Sequence, residues 1–566
     1  METKNCQNCK KDFTIEPDDF GFYEKIKVPP PTWCPECRLI RRLSFNDVWS
    51  LYKRDCAKCG KKNMLSVFSP QRKRIVYCQK CWWADDWDGT EYAKEYDQTR
   101  PFLAQMKEFL DTVPWPALES AYLTLENSEY TNAVAYQKNT YMTFWADYCE
   151  NTFYSSYLMT LKDSADCYRM KDCELCYEDV GCNKCYNTFF SEECDSCTDT
   201  WFSRSCAGCV NCFGCVNLRN KSYCIFNEQY SREGYFEKLK EFNLDSRSAL
   251  NGIKQKARAF WDTYPRRAYS GNSLNVNVTG DYVYESKNAK NAYMVSGVED
   301  SRYIGWISVP SARDCYDYTG WGNGAELIYE CMIVGEGANN VKFCYQSWPN
   351  ALYNEYCIYT IASKNVFGCV SLKRKEYCIL NKEYSKEEYE KLAAHIREDM
   401  VKNPYIDALG REWKYGEFLP LDFSPFAYNE TVAHRYFPKT QEEVAAYGMD
   451  WLEPETNQYA ITKKADEIPD TITGTKDEIV NEVIACESCN KAFRVVSNEL
   501  SLMRKLSMPL PSRCPTCRQK ERFDRTNPPK LYDRNCDKCG NAMKTGYAPN
   551  RPEIVYCESC YQQEIV

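Results

Sequence analysis

Sixteen of the 35 cysteines stand in eight Cys-x-x-Cys pairs, four near each end of the 566-residue chain. The first set is Cys6/Cys9, Cys34/Cys37, Cys56/Cys59 and Cys78/Cys81; the second is Cys486/Cys489, Cys514/Cys517, Cys536/Cys539 and Cys557/Cys560. Successive pairs step by 28, 22 and 22 residues in one set and by 28, 22 and 21 in the other. Two thiols three residues apart reach one ion from a tight turn, and two such turns complete a tetrahedral S4 shell. The expectation is Zn2+ at about four structural sites, paired sequentially: 6/9 with 34/37, 56/59 with 78/81, and likewise at the far end. Spacing alone also permits a cross-braced pairing of first with third, and a soft S4 shell also accepts iron. A closed all-thiolate shell leaves no position for water or substrate, so the metal is read as structural. Thioredoxin-like redox motifs do not come in coordinated sets of four pairs.

The two ends agree beyond cysteine. KVPPPTWCPECRLIRR at 27–42 matches SMPLPSRCPTCRQKER at 507–522, LYKRDCAKCG at 51–60 matches LYDRNCDKCG at 531–540, and RIVYCQKCW at 74–82 matches EIVYCESCY at 553–561. The first half of each module resembles a zinc-ribbon family with a C-x-x-C-x-x-x-F opening (Cys6 to Phe13, Cys486 to Phe493) and a P-x-x-C-x-x-C-R closing (ending at Arg38 and Arg518). The second half resembles a zinc-binding family defined by CxxC, 17 residues and CxxC; residues 540–556 match that spacing and residues 60–77 exceed it by one. These resemblances imply zinc binding and bring no reaction with them.

The net charge of −8 is segregated: residues 1–82 balance at +8, residues 481–566 at +4 and the middle at −20. Basic residues follow each CPxCR box (Arg38, Arg41, Arg42; Arg518, Lys520, Arg522), and Arg72, Lys73 and Arg74 lie between the last two pairs of the first module. With Trp33, Phe45 and Tyr52 nearby, these nine cations are candidates for phosphate contact, and so for nucleic acid or a ribonucleoprotein as partner. The other reading is a solvated basic face, with protein partners.

The remaining 19 cysteines fall between Cys149 and Cys378. Cys167, Cys176, Cys185 and Cys194 recur every nine residues, as do Cys197, Cys206, Cys215 and Cys224, with small residues at vacant positions. A fixed period with Tyr, Phe, Thr and Val argues for a parallel β-solenoid with cysteine packed inside. A looser version at 281–380 repeats at 10–14 residues, and 212–239 matches 366–392. The expected fold is mainly β with added helices: paired zinc ribbons flanking two parallel β-solenoids with capping helices. The layout is zinc ribbons at 1–85, a helical connector at 86–118 (one helix over Glu91–Val113), solenoid at 119–228, helical cap at 229–265 broken near Asn243 or Asn251, solenoid at 266–383, cap at 384–403, linker at 404–480 and zinc ribbons at 481–566. Ser385/Glu388 and Thr440/Glu443 read as helix capping boxes. The strings CPxCR, LYxRxC and CFGCxNLxxKxYxxxN together resemble uncharacterised Cys-rich proteins of candidate-phyla bacteria, a resemblance that carries no activity.

Two histidines, His395 and His434, leave little room for imidazole chemistry. No phosphate-binding glycine loop and no HExxH occurs. Parallel β-helices can host carbohydrate-active enzymes with carboxylates on one face; Asp314, Asp317, Glu326 and Glu330 lie in the second solenoid, but nothing in the sequence assembles them. No run of about 18 apolar residues occurs and the N-terminus lacks an apolar signal core, so no membrane contact and a cytoplasmic location are expected. The reading is a non-enzymatic, zinc-dependent binding or scaffold protein with basic zinc ribbons contacting nucleic acid. The alternatives are an enzyme with a site on the second solenoid and a thiol or metal reservoir.

Overall fold

A computed structural model describes residues 1–271, 274–453 and 459–565. Small parts of the expected second solenoid (272–273), the linker (454–458) and the C-terminal module (566) lie outside them. The chain is mixed α/β with more strand than helix, and much of the strand pairing is parallel. It forms two compact units, each assembled from separated segments: Met1–Leu118 with Tyr269–Glu453, and Glu119–Ala268 with Pro454–Val566. Each cysteine-pair module therefore shares its unit with the cysteine-rich segment that is not its neighbour in sequence.

In the second unit, residue i pairs in parallel with residue i+12: Thr131 with Thr143, Ser156 with Tyr168, Thr198 with Val210. The backbone turns at every third residue. Lys184, Asn187, Phe190, Glu193 and Ser196 all take positive φ, as do most residues at that phase from Ala133 to Tyr223. A left-handed residue that is not glycine costs about 1–2 kcal/mol, so this backbone persists only because neighbouring rungs bond to it on both sides. Asn183 N–H donates to Cys194 O (2.9 Å), and Lys184 N–H donates back to Lys171 O (2.9 Å).

The true clock is thus three residues within a twelve-residue rung, which corrects the nine-residue reading. Inward positions recur every third residue, so cysteines nine apart lie on different sides of the stack. The nine-residue relation is nevertheless physical. The Cys185 thiol reaches the carbonyl of Cys194, and the Cys215 thiol that of Cys224. The residues that stack directly are twelve apart: Cys185 N–H donates to Cys173 Sγ (3.3 Å), Ser203 N–H to Ser191 Oγ (3.2 Å) and Cys215 N–H to Ser203 Oγ (3.1 Å). Where the inward side chain is small and can accept, it takes the next rung's N–H, which suits Cys and Ser; Val134, Leu158 and Leu161 fill other inward places with hydrocarbon.

The first unit carries a looser stack, with parallel offsets of 12 (Gly280 to Ala292), 14 (Gly305 to Thr319), 13 (Tyr316 to Tyr329) and again 12 (Lys364 to Glu376). Both stacks end alike. The strand is closed by an antiparallel return (Cys224 with Gln229, Cys378 with Glu383). The Asn227 and Asn381 side-chain amides then stand in for a peptide of the missing rung. Asn381 accepts from Val370 N (2.9 Å) and donates to Val370 O (2.8 Å). A helix follows each return: Lys386–Lys402, with the Ser385/Glu388 capping box, and Arg232–Leu239. The latter breaks at left-handed Asn243 before Arg247–Trp261, with no break at Asn251.

The expected helix over Glu91–Val113 is only Phe102–Leu110, because Pro101 starts it and Lys94 N–H is bonded to Leu380 O. Of the expected linker, the part through Glu453 belongs to the first unit, where Trp413, Phe418 and Phe423 are fully buried. The capped helix Gln441–Tyr447 forms there with Thr440 and Glu443 in place.

Replacing Asn381 by leucine keeps its branched outline but leaves three buried backbone groups, Val370 N–H, Val370 O and Gly89 O, without that partner, at about 1–3 kcal/mol each. Denaturant unfolding of Asn381→Leu should show a loss of that size, and exposed Lys391→Ala a change within about 0.5 kcal/mol.

Candidate metal centres

Four clusters bring four thiols each within 4.8 Å of one another: Cys6/Cys9/Cys34/Cys37, Cys56/Cys59/Cys78/Cys81, Cys486/Cys489/Cys514/Cys517 and Cys536/Cys539/Cys557/Cys560. The pairing is sequential, not cross-braced. All are built alike. The first pair sits in the turn of a short antiparallel hairpin, such as Glu2–Asn5 with Asp12–Ile15 or Tyr532–Asn535 with Ala542–Thr545. The residue after it, Lys10, Gly60, Asn490 or Gly540, is left-handed. Its N–H closes the turn onto the first cysteine's carbonyl at 2.9–3.0 Å. The second pair opens a helix: Cys34, Cys78 and Cys514 are N-cap residues and Cys557 precedes Glu558–Ile565. A helix N-terminus favours negative charge, here a thiolate.

In each cluster the first cysteine accepts the N–H of the third at 3.2 Å. Burial pushes the Cys56 and Cys536 thiols up. The N–H groups around them outweigh it and bring both down to about 6, and Cys486 to about 7. The first cysteine of each of these clusters is thus poised as a thiolate, a donor that fits a thiophilic metal. Behind the first cluster, Asn8 Nδ2 donates to Cys37 Sγ (3.3 Å) and its Oδ1 accepts from Arg411 (3.1 Å), an outer shell of the kind that orients ligands.

The basic residues after the CPxCR boxes lie elsewhere than on a phosphate-contacting surface. Arg38, Arg41 and Arg42 are at most 1% exposed, on the inward face of the helix Pro35–Leu43. Arg38 pairs with Asp317 (2.9 Å) and Arg42 with Asp317 (3.1 Å), and Arg41 bridges Glu330 and Glu417 at 2.8 Å each. Arg41 also stacks on Trp33 (4.7 Å). Burial raises the Glu330 carboxyl, and Arg41 and Arg42 oppose it. The second unit repeats the contact. Arg518 and Arg522, both buried, converge on Asp166, and Arg518 also meets Glu499 (3.1 Å) beneath Tyr154. The acids sit on left-handed corners of the stacks: Asp317, Glu330 and Asp166 all have positive φ.

Of the other candidates, Arg72 pairs with Asp450 (2.5 Å) and Arg74 with Asp111. Lys73 and Lys520 are exposed, Lys520 beside Asp524 (2.5 Å). The four carboxylates considered for catalysis are also engaged: Asp314 with Lys25 (3.0 Å), Glu326 with Arg313 (2.6 Å), and Asp317 and Glu330 as above. Sequence reasoning missed the acidic partners Glu417, Asp166 and Glu499. One signal was present: Asp19 and Glu499 occupy equivalent places in the two copies, as do Arg38 and Arg518, and Arg42 and Arg522.

No protein-family model matches the chain, and no curated protein matches it. Among solved structures, a nominal acetyltransferase from Desulfovibrio desulfuricans G20 is similar at 10% identity, over 52% of this chain and 86% of its own, with a TM-score of 0.09. A score that low carries neither fold nor activity across. Among the described residues, no helix is long and apolar enough to cross a membrane.

Removing one partner from a buried ion pair costs about 3–5 kcal/mol. Arg41→Met should lower unfolding stability by that amount, and exposed Lys520→Ala by no more than about 0.5 kcal/mol. Elemental analysis should find one metal for each of the four clusters, and Cys34→Ser should lose a single equivalent.

Proposed function

We propose that the protein is a non-enzymatic, zinc-dependent scaffold: two parallel β-solenoids, each clasped by a double zinc ribbon, that present surface to protein partners. Zinc is the metal this reading assigns to the thiol clusters, because closed all-cysteine shells of tetrahedral size are its usual structural sites.

The observation that carries the reading is the direction of the cationic helix behind each CPxCR box. Arg38, Arg41, Arg42, Arg518 and Arg522 are buried against carboxylates of their own unit. The ribbons then serve as fasteners for the solenoids. Five of the nine cations expected to bind nucleic acid are engaged in that role, and two more, Arg72 and Arg74, are ion-paired.

The test is direct. Metal-loaded protein should bind single-stranded RNA and duplex DNA no tighter than the non-specific range of about 10⁻⁴–10⁻⁶ M at physiological salt. Lys73→Ala with Lys520→Ala should change nothing. Submicromolar binding with a steep salt slope would overturn the scaffold reading in favour of a nucleic-acid one. Stripping the metals with a strong chelator should lower the melting temperature and expose apolar surface to a dye, since zinc-binding energy is folding energy in modules this small.

A further inference from the structure

The two cysteine modules are copies of each other, yet the place beside them is filled by chain in the first unit and is a cavity in the second. In the first unit it holds residues 411–417. Asn8 Oδ1 accepts from Arg411 (3.1 Å), Gln7 Nε2 donates to Glu412 O (3.2 Å), and the fully buried Trp413 ring lies 5.2 Å from that of Trp33. The Glu417 carboxylate accepts the Thr32 N–H and the Thr32 hydroxyl, both at 2.7 Å, and pairs with Arg41 at 2.8 Å.

The alignment of the copies sets Glu487, Ser488, Ser512, Arg513 and Glu521 where Gln7, Asn8, Thr32, Trp33 and Arg41 stand. All five line a cavity of about 480 Å³, whose other walls are Tyr177 and Phe190 of the stack and one side of the helix Arg247–Trp261. That volume lies within the roughly 300–1,000 Å³ of small-molecule sites. The Ser512 hydroxyl donates to Glu487. Its N–H, the counterpart of the one that Glu417 binds in the first unit, has no hydrogen-bond partner among the described residues.

The walls also favour an anion. Arg518 is committed to Asp166 and Glu499. Of the other lining cations, Lys254 is matched by Glu178 (2.7 Å), whereas Arg258 and Arg513 share one carboxylate, Glu521. Arg247 pairs with no carboxylate; its guanidinium donates to the carbonyls of Ile468, Pro469 and Leu510. Arg513, standing where the first unit has Trp33, offers both a charge and a planar face for stacking.

We propose that this cavity is a binding site for a small aromatic carboxylate, which takes in the second unit the place that Trp413 and Glu417 hold in the first. Its carboxylate meets the Ser512 N–H beside Arg513, and its ring lies among the apolar walls, Tyr177, Phe190, Leu250 and Leu510.

The test is calorimetric titration of the full-length, metal-loaded protein with indole-3-acetate and with phenylacetate. At least one of the two acids should bind saturably, about tenfold or more tighter than indole or acetate, since a hydrogen bond to a charged group contributes about 1.5–3 kcal/mol and 1.4 kcal/mol is tenfold. Arg513→Trp restores the residue of the first unit, and Gln255→Trp enlarges an exposed residue of the wall. Each fills the cavity and should weaken binding about tenfold or more with the melting temperature unchanged; should one of them fail to fold, the other decides. Lys520→Ala, outside the cavity, should bind as the wild type does. Three results would each overturn the proposal: no saturable binding of either acid, undiminished binding by a folded filled variant, or tighter binding of a peptide of residues 411–417 than of either acid.

Discussion

Charges removed from water must be matched, and this constraint organises each unit. In the first, the guanidinium groups of Arg38, Arg41 and Arg42 meet the carboxylates of Asp317, Glu330 and Glu417, all essentially inaccessible to solvent. In the second, Arg518 and Arg522 meet Asp166 and Glu499. Desolvation of such groups costs several kcal/mol per ion unless a partner is in place. The cysteine module therefore has one seat on its stack, and a shift of a few ångströms would strand a buried charge. The same arithmetic separates the two seats. The position of Arg41 is held in the other copy by Glu521, so the C-terminal module on the first stack would set a carboxylate against Glu330 and Glu417. That discrimination matters in a chain whose segments alternate between units.

The metal clusters and the stacks depend on this contact from opposite sides. Cys34 and Cys514 cap the helices that carry the docking arginines. A metal held at those thiols would fix where each helix starts, and the helix fixes where its arginines arrive. On the stack side, the acids stand at left-handed corners that exist only because each rung is bonded above and below. A backbone strained at every third residue has no local stability of its own. Its cost is offset by the parallel ladder, by inward Cys and Ser that serve the next rung, and by Asn227 and Asn381 where the ladder ends.

Much of this was legible in the sequence where the signal was local. Cys-x-x-Cys turns marked the sixteen clustered thiols, with their sequential pairing expected over a cross-braced one that spacing also allowed, and the Ser385 and Thr440 caps follow from side-chain reach over one helical turn. The stack was half legible. Cysteines nine apart proclaimed a repeat, but serine, threonine, methionine and aspartate occupy the intervening inward positions and hide the triplet. Cys167, Asp179, Ser191, Ser203 and Cys215 form one column, and nothing in their side chains announces a common place.

By itself, the sequence determined the four-thiol clusters able to hold a metal, the duplication and the presence of two repetitive β segments, because these rest on residue types at short, fixed spacings. Tertiary structure alone decided which module joins which segment and what the arginines do. A cluster of Arg in sequence carries the same charge whether it faces phosphate or a buried carboxylate. Only the arrival of Asp317 and Glu330, 275 and 289 residues away from Arg42 and Arg41, settles it, since Coulomb attraction in a dry interior depends on distance in space and not along the chain.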